Sequence, residues 1–303
     1  MIRKISKHGQ LSLSISLPIV WVRMNKLKGN EELDVKMESD KLIISPLKKL
    51  QEKEEVVEFK ESPNLCEYFV AISYRYGTDL LRIKYPPIFI KQVNRVLSKD
   101  TIGFEVIDQT EDSCKIKDMS KGAAGDFDAV LRRMWLVASG IITDLENPAS
   151  NIELILSIPE RDNYINRYRS YLIRLIMKNN ILDKKSYGYV SLIQSIEALC
   201  DEFKNIAENW ENYNLNRDDR LVLKYVKDSF GAMQNLFYSF SEKNVEKSFG
   251  VLSRLKSLNK DNLNSGKDNK KLFVHALGNS FHSRFKNIIY SIIEINHNDF
   301  IEA

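Results

Sequence analysis

The sequence predicts a multidomain, mainly α protein: a small N-terminal β unit at 1–47, a linker and α+β module at 48–120, then tandem three-helix bundles at 121–212 and 213–303. Three patterns predict it. Apolar and polar residues alternate with period two near the N-terminus. Strand-like and helical runs then alternate between about 56 and 118. From about Asp126 onward, apolar residues recur at three- and four-residue spacing, in two sets of three helices.

In the first unit, "IRKIS" reads as a short strand and Lys7-His8-Gly9 as a turn. "LSLSISL" alternates strictly, which places Leu11, Leu13, Ile15 and Leu17 on a buried face and Ser12, Ser14 and Ser16 on the other. Pro18 suits the first turn of a helix, "PIVWVRMNKL", because its missing N–H would be unpaired there anyway, and Gly29-Asn30 ends that helix. "ELDVKM" and "KLIIS" form two more strands joined by "ESD". Four strands this short cannot bury a core alone, so the unit is expected to be completed by a second copy, as a homodimer.

Residues 48–55, "KKLQEKEE", read as a charged linker or helical spacer. The module follows: strand 56–60, a helix capped by Asn64 and closed by Gly77, strand "LLRIKY", a helix opened by Pro86-Pro87, and strands "FEVID" and "CKIKD" around the polar turn "QTEDS". In the first triplet the helix faces are Phe127, Leu131, Met134 and Ile141; Ile165, Leu172 and Ile176; and Ile193 to Trp210. In the second they are Val222 to Phe240, Val245 to Leu255, and Leu277 to Ile292. "FKNI" occurs at 203–206 and again at 285–288, and this 82-residue offset keeps the apolar registers matched, as in a repeat.

Composition excludes several classes. Hydrophobic residues are 43% and charged residues 28%, a globular balance. No apolar run approaches the ~20 residues that span a bilayer. "MIRKISKHG" lacks the apolar run and small-residue cleavage site of a secretion signal, so a cytoplasmic protein is expected. Cys66, Cys114 and Cys200 are far apart and form no CxxC pair, which fits buried thiols in a reducing compartment. No P-loop, GxGxxG after a strand, HExxH or GxSxG occurs, and a non-enzymatic protein is expected. Residues 1–50 carry ten Lys/Arg and five Asp/Glu, a net +5, whereas the remainder has 35 basic and 36 acidic residues, a net −1. A basic unit on a near-neutral body points toward nucleic acid, with an ordinary lysine-rich surface as the alternative.

Two constellations carry candidate chemistry. Arg3, Lys4, Lys7 and Arg23 flank the first strand, its turn and the helix; doubled in a dimer, they could contact phosphates of two half-sites. Glu197 and Asp201 share one helix face, four residues apart, and Asp162 and Asn166 repeat that spacing one helix earlier. Four oxygen-bearing side chains on facing helices could hold a divalent or ferric ion; equally, they could be solvated surface groups. The offset places Asn279, Ser283, Asn244 and Ser248 at the matching positions of the second bundle, which therefore lacks the carboxylates.

"RKISKHGQLSLSISLPIVWV…LKGNEELDVKMESDKLIISP" resembles the SpoVT/AbrB swapped-hairpin domain, a DNA-binding dimer. "ERDNYINRYRSYLIRLI" and "SIEALCDEFKNIAE" resemble PhoU, a phosphate-uptake regulator built as two three-helix bundles, and the domain order resembles archaeal PhoU-like regulators. The resemblance implies that the N-terminal unit is half of a swapped-hairpin barrel and that Arg3, Lys4, Lys7 and Arg23 bind DNA. It also implies a metal at Asp162, Asn166, Glu197 and Asp201, and a role in phosphate homeostasis. The partners it implies are DNA, a second copy, and phosphate-transporter subunits or a signalling kinase. Ile19 and Val20 follow Pro18 where archaeal relatives often have lysines. Two functions are therefore expected in competition: a transcriptional regulator, or an adaptor whose N-terminal unit only dimerises.

Overall fold

The computed structural model describes residues 2–8, 12–38, 41–46, 53–120, 127–146, 152–179, 185–208, 217–263 and 269–297. The chain divides into two compact units, Met1–Glu52 and Lys53–Ala303. Gly9, Leu11, Ser39, Asp40, most of the charged linker and Trp210 lie outside the described residues, while Lys7, His8 and Glu38, expected in turns, belong to strands.

The first unit consists of two separate antiparallel hairpins and a short helix. Strand β1 (Ile5–His8) pairs with β2 (Ser12–Ile15), and β3 (Leu33–Glu38) with β4 (Lys41–Pro46). Directly opposed residues share a face, so the register sorts each hairpin into two chemistries. In the first, Ile5, Ile15 and Leu13 lie with Lys7 on one face, and Ser6, Ser14 and Ser12 on the other. In the second, Leu33, Val35, Met37, Leu42, Ile44 and Pro46 make an apolar face. The sheets are not closed into a barrel within this chain.

Helix α1 (Ile19–Met24) corrects two sequence expectations. Pro18 stands at the cap, in extended conformation, and its carbonyl accepts the Val22 N–H at 3.0 Å. The helix ends at Met24, well before Gly29. Lys26 takes φ +53, its N–H donates to Arg23 O and the Leu27 N–H to Val22 O, the paired bonds of a Schellman stop.

The second unit begins with the module: β5 (Glu54–Glu58), α2 (Pro63–Arg75), β6 (Leu80–Lys84), a 3₁₀ turn (Pro87–Phe89), α3 (Ile90–Asp100), β7 (Phe104–Gln109) and β8 (Ser113–Asp118). The sheet order is β5-β6-β8-β7; β5 runs parallel to β6, and the other pairs are antiparallel. The cap of α2 is Ser62, whose hydroxyl accepts the Leu65 N–H at 3.2 Å, with Pro63 at the first helical position; Asn64 lies inside the helix. Gly77 closes it as expected, at φ +82. One face of the sheet packs Leu81, Ile83, Cys114 and Ile116 under Cys66, Val70 and Tyr74 of α2 and Val93 and Val96 of α3, all buried.

The rest of the unit is helical: α4 (Phe127–Glu146), α5 (Ile152–Leu156), α6 (Ile158–Asn179), α7 (Ser186–Glu208), α8 (Arg217–Tyr238), α9 (Glu242–Leu263) and α10 (Asn269–Ile295). Helices α4, α6 and α7 pack on one another, as do α8, α9 and α10. Between these triplets α7 lies along α10 and α4 along α8. The α7–α10 pair is antiparallel: Gly188 meets Ile295, Ser191 meets Ser291, and the ring of Phe203 lies 5.4 Å from that of Phe281. Helices α2 and α3 rest on α6, so module and helices share one continuous core. No described helix is long and apolar enough to cross a membrane.

Candidate functional sites

The four candidate basic residues of the first unit keep their charge available. Arg3 and Lys4 precede β1, Lys7 lies within it opposite Leu13, and Arg23 occupies the last turn of α1. All four are exposed, and none forms an ion pair among the described residues. Such side chains keep full hydration and mobility until a polyanion neutralises them, which is the arrangement that makes phosphate binding salt-dependent. Ile19 and Val20, at the start of α1, are exposed apolar residues and add no charge there.

The four α6–α7 residues do not converge on a single point; they separate into two clusters, each holding a cation of the chain itself. Asp162 is 1% exposed. Its Oδ2 accepts the Lys204 ammonium at 2.8 Å and the Asn166 amide at 3.2 Å. The same ammonium donates to Asp201 Oδ1 at 2.9 Å. Glu197 bonds a different cation: it accepts from the guanidinium of Arg169, which also donates to Asp100 of the module at 3.2 Å. Burial raises the carboxyl pKa of both Asp162 and Glu197 despite these cations, whereas the two carboxylates around Lys204 hold its ammonium protonated more firmly than usual. Among the described residues, no group of three or more His, Cys, Asp or Glu side chains is placed to hold a metal ion. The Lys204 ammonium already holds the place between Asp162 Oδ2 and Asp201 Oδ1 that a bridging cation would take.

At the positions matched by the 82-residue offset, the second triplet uses its polar groups locally. The Asn244 amide donates to Ser239 O at 2.6 Å, beside the start of α9, and the Ser248 hydroxyl to Ala232 O at 3.3 Å. Cys200 is fully buried, and burial together with the adjacent carboxylates drives its thiol pKa well up, so it is no nucleophile.

The most developed polar site was missed at the sequence level. Arg174 of α6 is 2% exposed, yet its guanidinium is fully engaged. It donates to Tyr74 O and to Asp118 Oδ2, each at 2.6 Å, and to Asp79 Oδ1 at 3.4 Å, and lies 4.9 Å above the Tyr74 ring. One turn on, Lys178 bonds Asp79 and approaches Asp118. One face of α6 thus carries Arg167, on Thr101 O at 2.9 Å, then Arg174 and Lys178. Burial pushes the Asp118 carboxyl up, but hydrogen bonds from Ser120 and the Arg174 charge outweigh that and hold it below the usual range. The signal was legible as Arg167, Arg174 and Lys178 at spacings of seven and four, with Arg174 inside the apolar run from Tyr171 to Met177 and Lys178 directly after it. This site fastens the module to α6. Set against known proteins, the chain matches no family model, no curated protein and no solved structure.

Proposed function

We propose that the chain is a dimeric, non-catalytic DNA-binding regulator of phosphate uptake, as its resemblance to SpoVT/AbrB and PhoU proteins implies. In this reading each copy supplies half of a swapped-hairpin barrel, and Arg3, Lys4, Lys7 and Arg23 meet the DNA backbone. The observation that carries it is the state of the first unit: not one of its described residues is buried. Leu13 is 67% exposed, Val35 55% and Met37 80%, all on the apolar faces of the two hairpins. A second copy covering those faces would supply the missing core and bring two sets of free cations together. The phosphate-related part of the reading rests on the helical motifs that resemble PhoU.

The test is a gel shift of the full chain on the DNA upstream of its own coding sequence, at two salt concentrations. The expected result is binding that weakens steeply with salt, and a shallower salt slope for Arg3→Ala/Lys4→Ala, by about one for each phosphate no longer neutralised. Absence of a shift at low salt would overturn the reading. Recovery of membrane transporter subunits in a pull-down alongside that absence would assign an adaptor role.

A further inference from the structure

Helix α2 packs against α3, α6 and, through the Tyr74 ring on Phe104, the sheet, and among the described residues it leaves a fourth side uncovered. That fourth side is unusual in composition. Beyond Asn64 its exposed positions are Leu65, Tyr68, Ile72 and the capping Tyr76, which are 55%, 66%, 45% and 59% exposed. The spacing of three, four and four residues puts them in one stripe, with no charged residue interrupting it. Scattered exposed apolar residues are ordinary; a continuous stripe with two tyrosines in it is the composition of an interface core.

We infer that this stripe packs against the same stripe of a second copy, antiparallel, about a two-fold axis near residue 70. The pattern is self-complementary only in that sense. Reversed upon itself, it sets Tyr76 over the partner's Leu65 and Tyr68 over the partner's Ile72, an aromatic ring on an aliphatic side chain in each pair. Antiparallel packing also opposes the two helix dipoles. The area argues for the same occupant. The exposed parts of four such side chains amount to roughly 400 Å² per copy, hence about 800 Å² for the pair. A free-standing specific complex needs ~1,200–2,000 Å². The stripe is too small to hold an independent partner, but sufficient between two chains already joined, where a tether supplies an effective concentration in the millimolar range. This inference therefore rests on the dimer proposed above for the first unit.

The test uses the full chain, whose three native cysteines are all buried. Ile72→Cys adds one exposed thiol on the stripe, and Lys84→Cys one on the open face of the sheet. Each is treated with a short bismaleimide, and the mass in solution is measured by light scattering. The expected result is a dimeric mass, rapid covalent dimer from Ile72→Cys, and at least tenfold slower crosslinking from Lys84→Cys. Tyr68→Arg should reduce the crosslinking of Ile72→Cys at least tenfold while the mass stays dimeric. A dimeric mass with equal crosslinking at both positions would overturn the α2 contact and leave the first-unit dimer standing. A monomeric mass would overturn both.

Discussion

Lys204 shows how one side chain decides what a cluster of carboxylates is for. Read as spacing, Asp162, Asn166 and Asp201 are cation ligands; folded, Asp162 and Asp201 already hold an ammonium, and the Asn166 amide donates to Asp162. Removing that ammonium leaves a buried carboxylate with only an amide donor, the costly half of a broken ion pair. Lys204→Met is expected to lose about 3–5 kcal/mol of stability, read as a lower urea midpoint at unchanged slope, and adding Asp162→Leu should recover most of that loss. Asp118 gives a pH-dependent counterpart. Its folded carboxyl lies below the ordinary value of 3.8, so its contribution is complete above that value and disappears as pH falls through the folded one. Asp118→Asn should therefore be clearly less stable than the parent at pH 7, with the gap closing below pH ~3.8 in urea melts. At this scale the sequence was only partly legible. Acidic residues four apart were visible as a set, but the partner that claims them comes from three residues past Asp201, and Arg174 meets Asp79 and Asp118 from far along the chain. Caps misread for a related reason: Ser62 and Asn64 are both competent, and Pro63 between them selects Ser62 by taking the first helical position.

Among elements, legibility follows periodicity. The long amphipathic helices were found because their apolar faces are what the core buries: Phe127, Leu131, Met134 and Ile141 of α4, and Phe281, Phe285, Ile288 and Ile292 of α10, are all buried. Ends were harder, since α1 stops where Lys26 turns left-handed, a conformation that no pattern in the residues announces. How closely helices approach was also hidden, and two glycines make the point. A Cβ on Gly188 of α7 would stand 2.9 Å from Ile295 Cγ1 and 3.3 Å from the Ile295 nitrogen and Ser291 O of α10. Part of that obstacle is backbone, so the helices themselves must separate. Gly231 in α8 has nothing within 4 Å of the same point. Gly188→Val is therefore expected to cost about 1–3 kcal/mol or more, and Gly231→Ala to stabilise by roughly 0.5–1 kcal/mol through the cost of glycine in a helix. Chemical denaturation of the two variants beside the parent measures both signs in one experiment.

For the whole molecule, the contrast lies in where each unit finds its core. Residues from Lys53 onward bury their own: module and helices share one apolar cluster, running from Phe59 to Ile295, and the Arg174 and Arg169 bridges cross from α6 to the module. The unit up to Glu52 presents apolar faces on both hairpins and buries none of its described residues. Its strands were legible because alternation is a local signal. The expectation of a second copy rests on the shortness of those strands, since four strands of four to six residues lack the area for a core. The two units should accordingly depend differently on concentration. A fragment of residues 53–303 should keep the helical circular dichroism and the thermal midpoint of the same residues in the full chain, since its core is complete without the first unit. A fragment of residues 1–52 should fold only as an associated species, so its midpoint should rise with protein concentration by mass action. A concentration-independent, cooperative melt of the 1–52 fragment would mean that the unit closes on itself, and the reading of its exposed faces as halves of a shared core would fall.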